Sequence, residues 1–428
     1  MLTKPRLLAH AATAALLVLA TPALARAETL TLKADRYLDV ARGVLVSPAV
    51  IIIKDRAITA VNPSQPPTTD RTLELPGLTL MPGLMDAHTH LTLDVARGWR
   101  HDAVTKTAGD LALIGAANAE KTLMAGFTTI RDLGAADFAD VAIARAVEDG
   151  LTPGPHIIAA GHATGITGGH CDITGYVPSV LPPSPERGIA DSPDEFTKAV
   201  RYQIKYGARV VKICATAGVM SDEASVGAQQ PSLAELKAAA DEAHRHGLKI
   251  AAHAVGEAGV IAAAEAGVDS IEHASLLTPA AAEVVRRHGA YLVPTLYLLD
   301  AVDPASLPPA LMKKGLQIRE ASKESFKLAL RAKLKIVFGT DAGVYPHGDN
   351  AKEFYVRTQL GQSALEAVRS STLYASALLD VPDRGQIKVG LLADLIAVEG
   401  DPLTDVRILE NVRFVMKEGH VYKQPPRP

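Results

Sequence analysis

Hydrophobic and polar positions along this chain follow two distinct patterns. From Phe127 onward, short β-branched runs are separated by longer Ala-rich amphipathic runs, the signature of repeated βα units around a parallel sheet. Predicted strands are Leu84–His88, Phe127–Asp132, His156–Gly161, Arg209–Cys214, Lys249–His253, Val268–His273, Tyr291–Thr295 and Lys335–Thr340. Between them, Ser192–Tyr206 carries Pro193 in its first turn and Ser232–His246 is closed by Gly247, so both read as capped helices. With eight alternations and no G-x-G-x-x-G after the first strand, the pattern predicts an α/β fold, a (β/α)8 TIM barrel over 81–384. Residues 28–80 and 385–428 instead show short alternating strands, with turns at Ala41-Arg42-Gly43 and Lys54-Asp55-Arg56. Two all-β ends flanking a barrel predict a small β-sandwich built from both termini. Gly161–Glu186, rich in Gly, Pro and Ser, is too long for a simple connection and is expected to be a functional loop.

The first residues follow a different grammar. Lys4 and Arg6 precede an apolar run from Ala11 to Ala20, with small residues at Ala25 and Ala27, so 1–27 reads as a signal peptide. The expected location is periplasmic or secreted, with no membrane association after cleavage, because no later run approaches the length of a span. A net charge of −3 with both signs scattered leaves no electrostatic footprint for nucleic acid. Cys171 and Cys214 are the only cysteines, which excludes a disulfide framework. At most one bridge is possible, and two buried free thiols are the expectation.

The candidate chemistry sits at strand ends. His244 and His246 fall in the charged last turn of a predicted helix and read as surface residues. His88 and His90 follow the buried run Gly83-Leu84-Met85-Asp86-Ala87, and a period of two directs both imidazoles to one side at a strand's C-terminal end. In a barrel that is the catalytic face. His253 ends Ile250-Ala251-Ala252-His253, His273 ends Ser270-Ile271-Glu272-His273, and Asp341 follows Ile336-Val337-Phe338-Gly339-Thr340. Taken alone, a His at a strand end is more often a satisfied core or rim residue, and an Asp after Gly-Thr is often just a turn or cap. Lys212, inside Arg209-Val210-Val211-Lys212-Ile213-Cys214, is harder to explain, since a buried ammonium is costly unless paired or chemically changed. Jointly, imidazole and carboxylate donors converging on one face suit zinc or a similar divalent ion.

Pro82-Gly83-Leu84-Met85-Asp86-Ala87-His88-Thr89-His90, the Lys, His, His and Asp positions, and the closing Gly390-Leu391-Leu392-Ala393-Asp394-Leu395 resemble the metal-dependent amidohydrolase superfamily. The resemblance implies two divalent metal ions: His88 and His90 on the first, His253 and His273 on the second, a carboxylated Lys212 bridging both with hydroxide. Asp341 would ligate the first metal and shuttle the proton as the hydroxide attacks the carbonyl. Gly165-Ile166-Thr167-Gly168-Gly169-His170-Cys171-Asp172 and Gly218-Val219-Met220-Ser221 are similar to the branch of Xaa-Pro and Xaa-Arg dipeptidases and carboxypeptidase-like ochratoxinases. That implies amide hydrolysis of dipeptides or N-acyl amino acids with a free C-terminal carboxylate, and a homo-oligomer, often an octamer. His170 is the expected substrate contact, donating to the carbonyl oxygen, with a loop-ordering role as its alternative. Where the branch often carries His or Tyr two residues after the His253 position, this chain has Val255, which favours a more hydrophobic, ochratoxin-type substrate. Tyr297 is a further candidate pocket residue, with core packing as its alternative. The rival enzymatic reading is a mononuclear deaminase or imidazolonepropionase-like cyclic-amide hydrolase. A binding protein on an inactive barrel is the non-enzymatic one.

Overall fold

The computed structural model describes residues 28–95, 101–302 and 307–425, so the predicted signal peptide at 1–27 lies outside the described residues. The N-terminal segment supplies β1 (Thr29–Asp39), β2 (Val44–Val46), β3 (Ala49–Lys54), β4 (Ala57–Val61) and β5 (Arg71–Pro82). The central region supplies β6 (Leu84–Thr89), β7 (Phe127–Asp132), β8 (His156–Ala159) and β9 (Val210–Cys214). It continues through β10 (Lys249–Ala254), β11 (Ser270–His273), β12 (Tyr291–Val293) and β13 (Lys335–Ile336). The chain finishes with β14 (Leu395–Glu399), β15 (Phe414–Lys417) and β16 (His420–Lys423).

Strands β6 to β13 are all parallel and form two ladders, β6-β7-β8 and β13-β12-β11-β10-β9, in a TIM-barrel-like α/β arrangement. At one seam Arg209 N donates to Ala159 O over 2.8 Å and Thr164 bridges Ile213; at the other Ala87 N donates to Phe338 O over 2.9 Å and Thr89 bridges Ala342. Helices between the strands carry the caps read from the sequence. Ser192 accepts from Glu195 N at the start of Pro193–Tyr206, and Ser232 forms a capping box with Glu235 ahead of Leu233–Arg245. Their apolar faces pack Phe196, Val200, Leu236 and Ala240 against Val211, Ile213, Ile250 and Ile271 on the strands.

The seventh and eighth strands are shorter than predicted, and the cause is local. Thr295 takes left-handed backbone at φ 48°, and past Ile336 the chain divides its bonds between neighbours, Val337 N donating to Leu292 O over 2.9 Å and Phe338 N to Ser370 O over 3.0 Å, before Asp341 turns at φ 63°. The two ends of the chain meet in one eight-stranded sheet, ordered β16-β15-β14-β5-β1-β3-β4 with β2 on β1, where Leu395 pairs antiparallel with Pro82. Its core contains Leu32, Ile51, Ile53, Leu80, Phe414 and Met416.

The expectation of two free thiols is corrected. Cys171 and Cys214 form a disulfide with a Cα–Cα distance of 5.8 Å. Counting cysteines could not reveal this, because their proximity is tertiary: Cys214 N donates to Thr164 O over 2.8 Å, and Gly165 packs directly on Cys171.

Candidate metal centre

The C-terminal ends of the parallel strands bring the predicted ligands together. His88 Nε2 and His90 Nε2 each lie 3.5 Å from Asp341 Oδ1, and donor atoms of the three residues fall within 4.8 Å of one another. The β6–β7 pairing shifts register between Asp86 and Thr89, at the point where the His88-Thr89-His90 segment leaves the strand. Next to this triad, the ring of His273 is centred 5.0 Å from that of His88 and 4.9 Å from that of His253. Lys212 is buried in β9, level with Ala251 on β10, two register steps from the Cys214–His253 pair and so on the same face of the sheet as His253.

Each imidazole is oriented through its other nitrogen. His88 Nδ1 lies 2.8 Å from Glu272 Oε2, His90 Nδ1 lies 3.2 Å from Gly134 O, and His273 Nδ1 lies 2.7 Å from Thr295 Oγ1. Such outer partners fix ring orientation and the nitrogen left free for a ligand. His253, which lines the same cavity, has its Nε2 buried with no hydrogen-bond partner among the described residues.

Electrostatics favour the uncharged donors that metal ligation requires. Burial holds the imidazoles of His88, His253 and His273 well below the ordinary range and lowers His90 to about 4, helped in each case by neighbouring cations. Burial also brings the Lys212 ammonium down to about 8, against the opposing pull of Glu272 and Asp341. The Asp341 carboxyl is pushed up to about 6 by burial, with Lys212 opposing. Four neutral imidazoles, a carboxylate and a readily deprotonated amine suit a divalent ion, and the orphaned nitrogen of His253 fits the same reading.

A cavity of about 330 Å³ is lined by His88, His90, Lys212, His253, His273 and Asp341, and also by His170 and Cys171. It shares His170, His253 and Asp341 with an adjoining apolar lobe of about 120 Å³, walled by Val219, Val255, Leu298, Leu299 and Met312. His170 therefore faces both spaces, its ring stacked on His253 at 4.1 Å. Val255 is buried in the wall of the lobe. Tyr297 is not among the lining residues. Glu353 Oε2 accepts from Leu296 N and Tyr297 N at 2.8 and 2.6 Å, and the Tyr297 ring turns onto Tyr345, leaving Leu298 and Leu299 to face the lobe. His244 and His246 stand apart from the site, half-exposed and paired with Asp269 and Glu242.

Several functional residues were not singled out from the sequence. Glu272 is fully buried and joins His88 to Arg131, whose Nη2 donates to Glu272 Oε1 over 2.9 Å and whose Nη1 donates to Ser270 Oγ over 3.0 Å. Asp86 accepts from His88 N at 3.1 Å, Thr340 Oγ1 at 2.6 Å and Asn350 Nδ2 at 2.8 Å, tying the strand that carries His88 to the segment leading to Asp341. For Asp86 the available signal was the one that exposed Lys212: a charge inside an otherwise apolar run.

The profile of the amidohydrolase family matches residues 79–422. Ochratoxinase from Aspergillus niger is 33% identical over 374 residues, covering 81% of this chain and 76% of that protein. Its crystal structure superposes with a TM-score of 0.83 at 29% identity, over 94% of this chain and 97% of that one. A Xaa-Pro dipeptidase crystallised with methionine in its active site superposes with a TM-score of 0.88 at 32% identity, over 92% of this chain and all 100% of that one. A prolidase in complex with N-methylphosphonate-L-proline gives a TM-score of 0.82 at 29% identity, with 92% and 100% coverage. Divalent metal is general in this family, in keeping with the donor set above. The chain belongs to the amidohydrolase family, and is a hydrolytic enzyme acting on amide or peptide bonds.

Proposed function

We propose that this protein is a binuclear-metal hydrolase of dipeptides or N-acyl amino acids bearing a free C-terminal carboxylate, with hydrophobic, ochratoxin-type amides among its substrates. The reading rests on one observation: His88, His90, Lys212, His253, His273 and Asp341 all line the same cavity. The eight parallel strands would then close as a (β/α)8 barrel, with the terminal sheet folding over as a small β-sandwich. His88, His90 and Asp341 would hold one ion, His253 and His273 the other, and Lys212 as its carbamate would be shared, which removes the cost of a buried ammonium. Bound there, zinc or similar ions supply an acidified water as nucleophile and a Lewis acid for the scissile carbonyl.

The chain's own groups do the rest. Asp341, raised to about 6 by burial, takes the proton of the attacking water near neutral pH and returns it to the leaving amine. His170 donates to the carbonyl oxygen as negative charge develops there. The apolar lobe beside Val255 accepts a hydrophobic side chain. Export to the periplasm or beyond, supported by the residues of 1–27 and compatible with a disulfide, belongs to the same proposal, as does a homo-oligomeric assembly.

One observation favours the mononuclear reading: among the described residues, only His88, His90 and Asp341 form a tight donor cluster. Counting metals per chain separates the two. A zinc-loaded enzyme should carry two ions and cleave N-acyl amino acids in preference to their C-terminal amides. One ion per chain, with Lys212→Ala fully active, would establish the mononuclear form, and indifference to the carboxylate would reject the peptidase assignment. Asp341→Asn should retain at least one metal while turnover falls about 10²- to 10⁴-fold; unchanged turnover removes Asp341 from proton transfer.

A further inference from the structure

The helix Pro309–Arg331 is studded with charged residues, yet Lys314 on it is only 6% exposed. Its ammonium donates to Gly218 O over 2.9 Å, Ser221 O over 2.6 Å and Glu223 O over 3.0 Å. A buried ammonium is tolerated only with its donors satisfied, and here three bonds fall on carbonyls of one short segment following β9. That segment carries the group that touches His170: Ser221 Oγ lies 2.8 Å from His170 Nδ1. Gly218 packs beneath the same ring, so closely that a Cβ there would stand 2.4 Å from His170 Cε1.

We propose that Lys314 is a positioning residue that sets which nitrogen of His170 carries the proton. This rests on the reading of His170 as the donor to the substrate carbonyl. Ser221 has one hydroxyl proton and two acceptors within reach, His170 Nδ1 at 2.8 Å and Gly218 O at 3.4 Å. Gly218 O already receives a charge-assisted bond from Lys314, and 3.4 Å is long for a hydroxyl donor. The hydroxyl proton therefore goes to Nδ1, and the ring's own proton resides on Nε2. An Nε2–H imidazole donates to a carbonyl oxygen, whereas the opposite tautomer presents a lone pair that repels it. With Lys314 gone, the carbonyls of Gly218, Ser221 and Glu223 lose their shared anchor and Gly218 O regains an open acceptor site, so Ser221 can close on Gly218 O and the ring can shift its proton to Nδ1.

The test uses zinc-loaded enzyme labelled with ¹⁵N-histidine, with long-range ¹H–¹⁵N spectra reporting each tautomer and His170→Asn assigning the signal. The wild-type ring should be Nε2–H. Lys314→Met should move it toward Nδ1–H and lower kcat roughly 10- to 100-fold with KM within about twofold, and Lys314→Arg should recover much of both. A wild-type ring in the Nδ1–H form, or Lys314→Met with an unchanged tautomer, overturns the proposal. If Lys314→Met does not fold, Ser221→Ala decides: a fall in kcat at constant KM supports the relay, and wild-type kcat refutes it. Full activity of His170→Asn would instead refute the substrate role of His170, a separate outcome from the tautomer measurement.

Discussion

Glu272 shows how much of a candidate metal centre hangs on a residue outside its donor set. Its carboxylate spans His88 Nδ1, Arg131 and Ser270 with no exposure to solvent, so the His88 ring has one orientation and one free nitrogen. Glu272→Gln places an amide between a guanidinium and an imidazole, where at least one N–H faces another donor. The expected outcome is a fall in metal affinity of about 10- to 100-fold, read by chelator competition, with the fold retained. Unchanged affinity would show that His88 is oriented by its strand alone. The candidate ligands themselves were legible because each sits inside, at the end of or just past an apolar run, where a polar residue stands out. Glu272 was hidden by its neighbour. Strand alternation sends adjacent residues to opposite faces, so a reader who credits His273 discounts Glu272. Both reach the cluster because His273 adopts φ 69°, which breaks the alternation at the strand's last residue.

At the scale of elements, strand and helix periods were plain, and each of the eight parallel strands overlaps its predicted range, the last two stopping short. Connections were not. The segment following β8 was marked as functional from its length and composition, but what holds it is long-range. Thr167 donates to Asp191 twice, at 2.9 and 2.7 Å, and the Cys171–Cys214 bridge ties the loop to β9, two residues from Lys212. Closing a loop of separation 43 removes about 4 kcal/mol of chain entropy from the unfolded state. The double variant Cys171→Ser, Cys214→Ser should therefore melt several degrees lower, as should wild type kept in a non-chelating phosphine reductant. Identical melting in both would mean that the bridge adds nothing to the fold. The helix Pro309–Arg331 was opaque for a different reason: its many charges read as a solvated face, although Lys314 stands three residues after Leu311 and four before Ile318, on the buried side.

For the whole molecule, the two chain ends act as one part. Beyond the sheet itself, Lys417 Nζ donates to Gly154 O over 2.8 Å, His156 lies 3.1 Å from Asp394, and Arg369 donates to Val40 O over 2.9 Å. These contacts join the terminal sheet to the region that holds the site. Removing residues 412–428 would strip β15 and β16, leave the edge of β14 bare and break the Lys417 anchor. Such a truncation should aggregate in light-scattering chromatography; a monodisperse product with wild-type melting would show that the two strands are dispensable. That both ends were all-β was readable from their alternation, whereas their order in a shared sheet was not, since register between distant strands leaves no local mark. The sheet also dictates a timetable. Thr79 Oγ1 hydrogen-bonds to Gly400 O, 321 residues further along, so while the chain emerges from the ribosome β5 waits with one edge open until almost all the rest has been made. During that interval a nascent chain is exposed to strand pairing with its neighbours, and a holdase that covers β1 and β5 would raise the yield of folded enzyme more than one that acts on the central region.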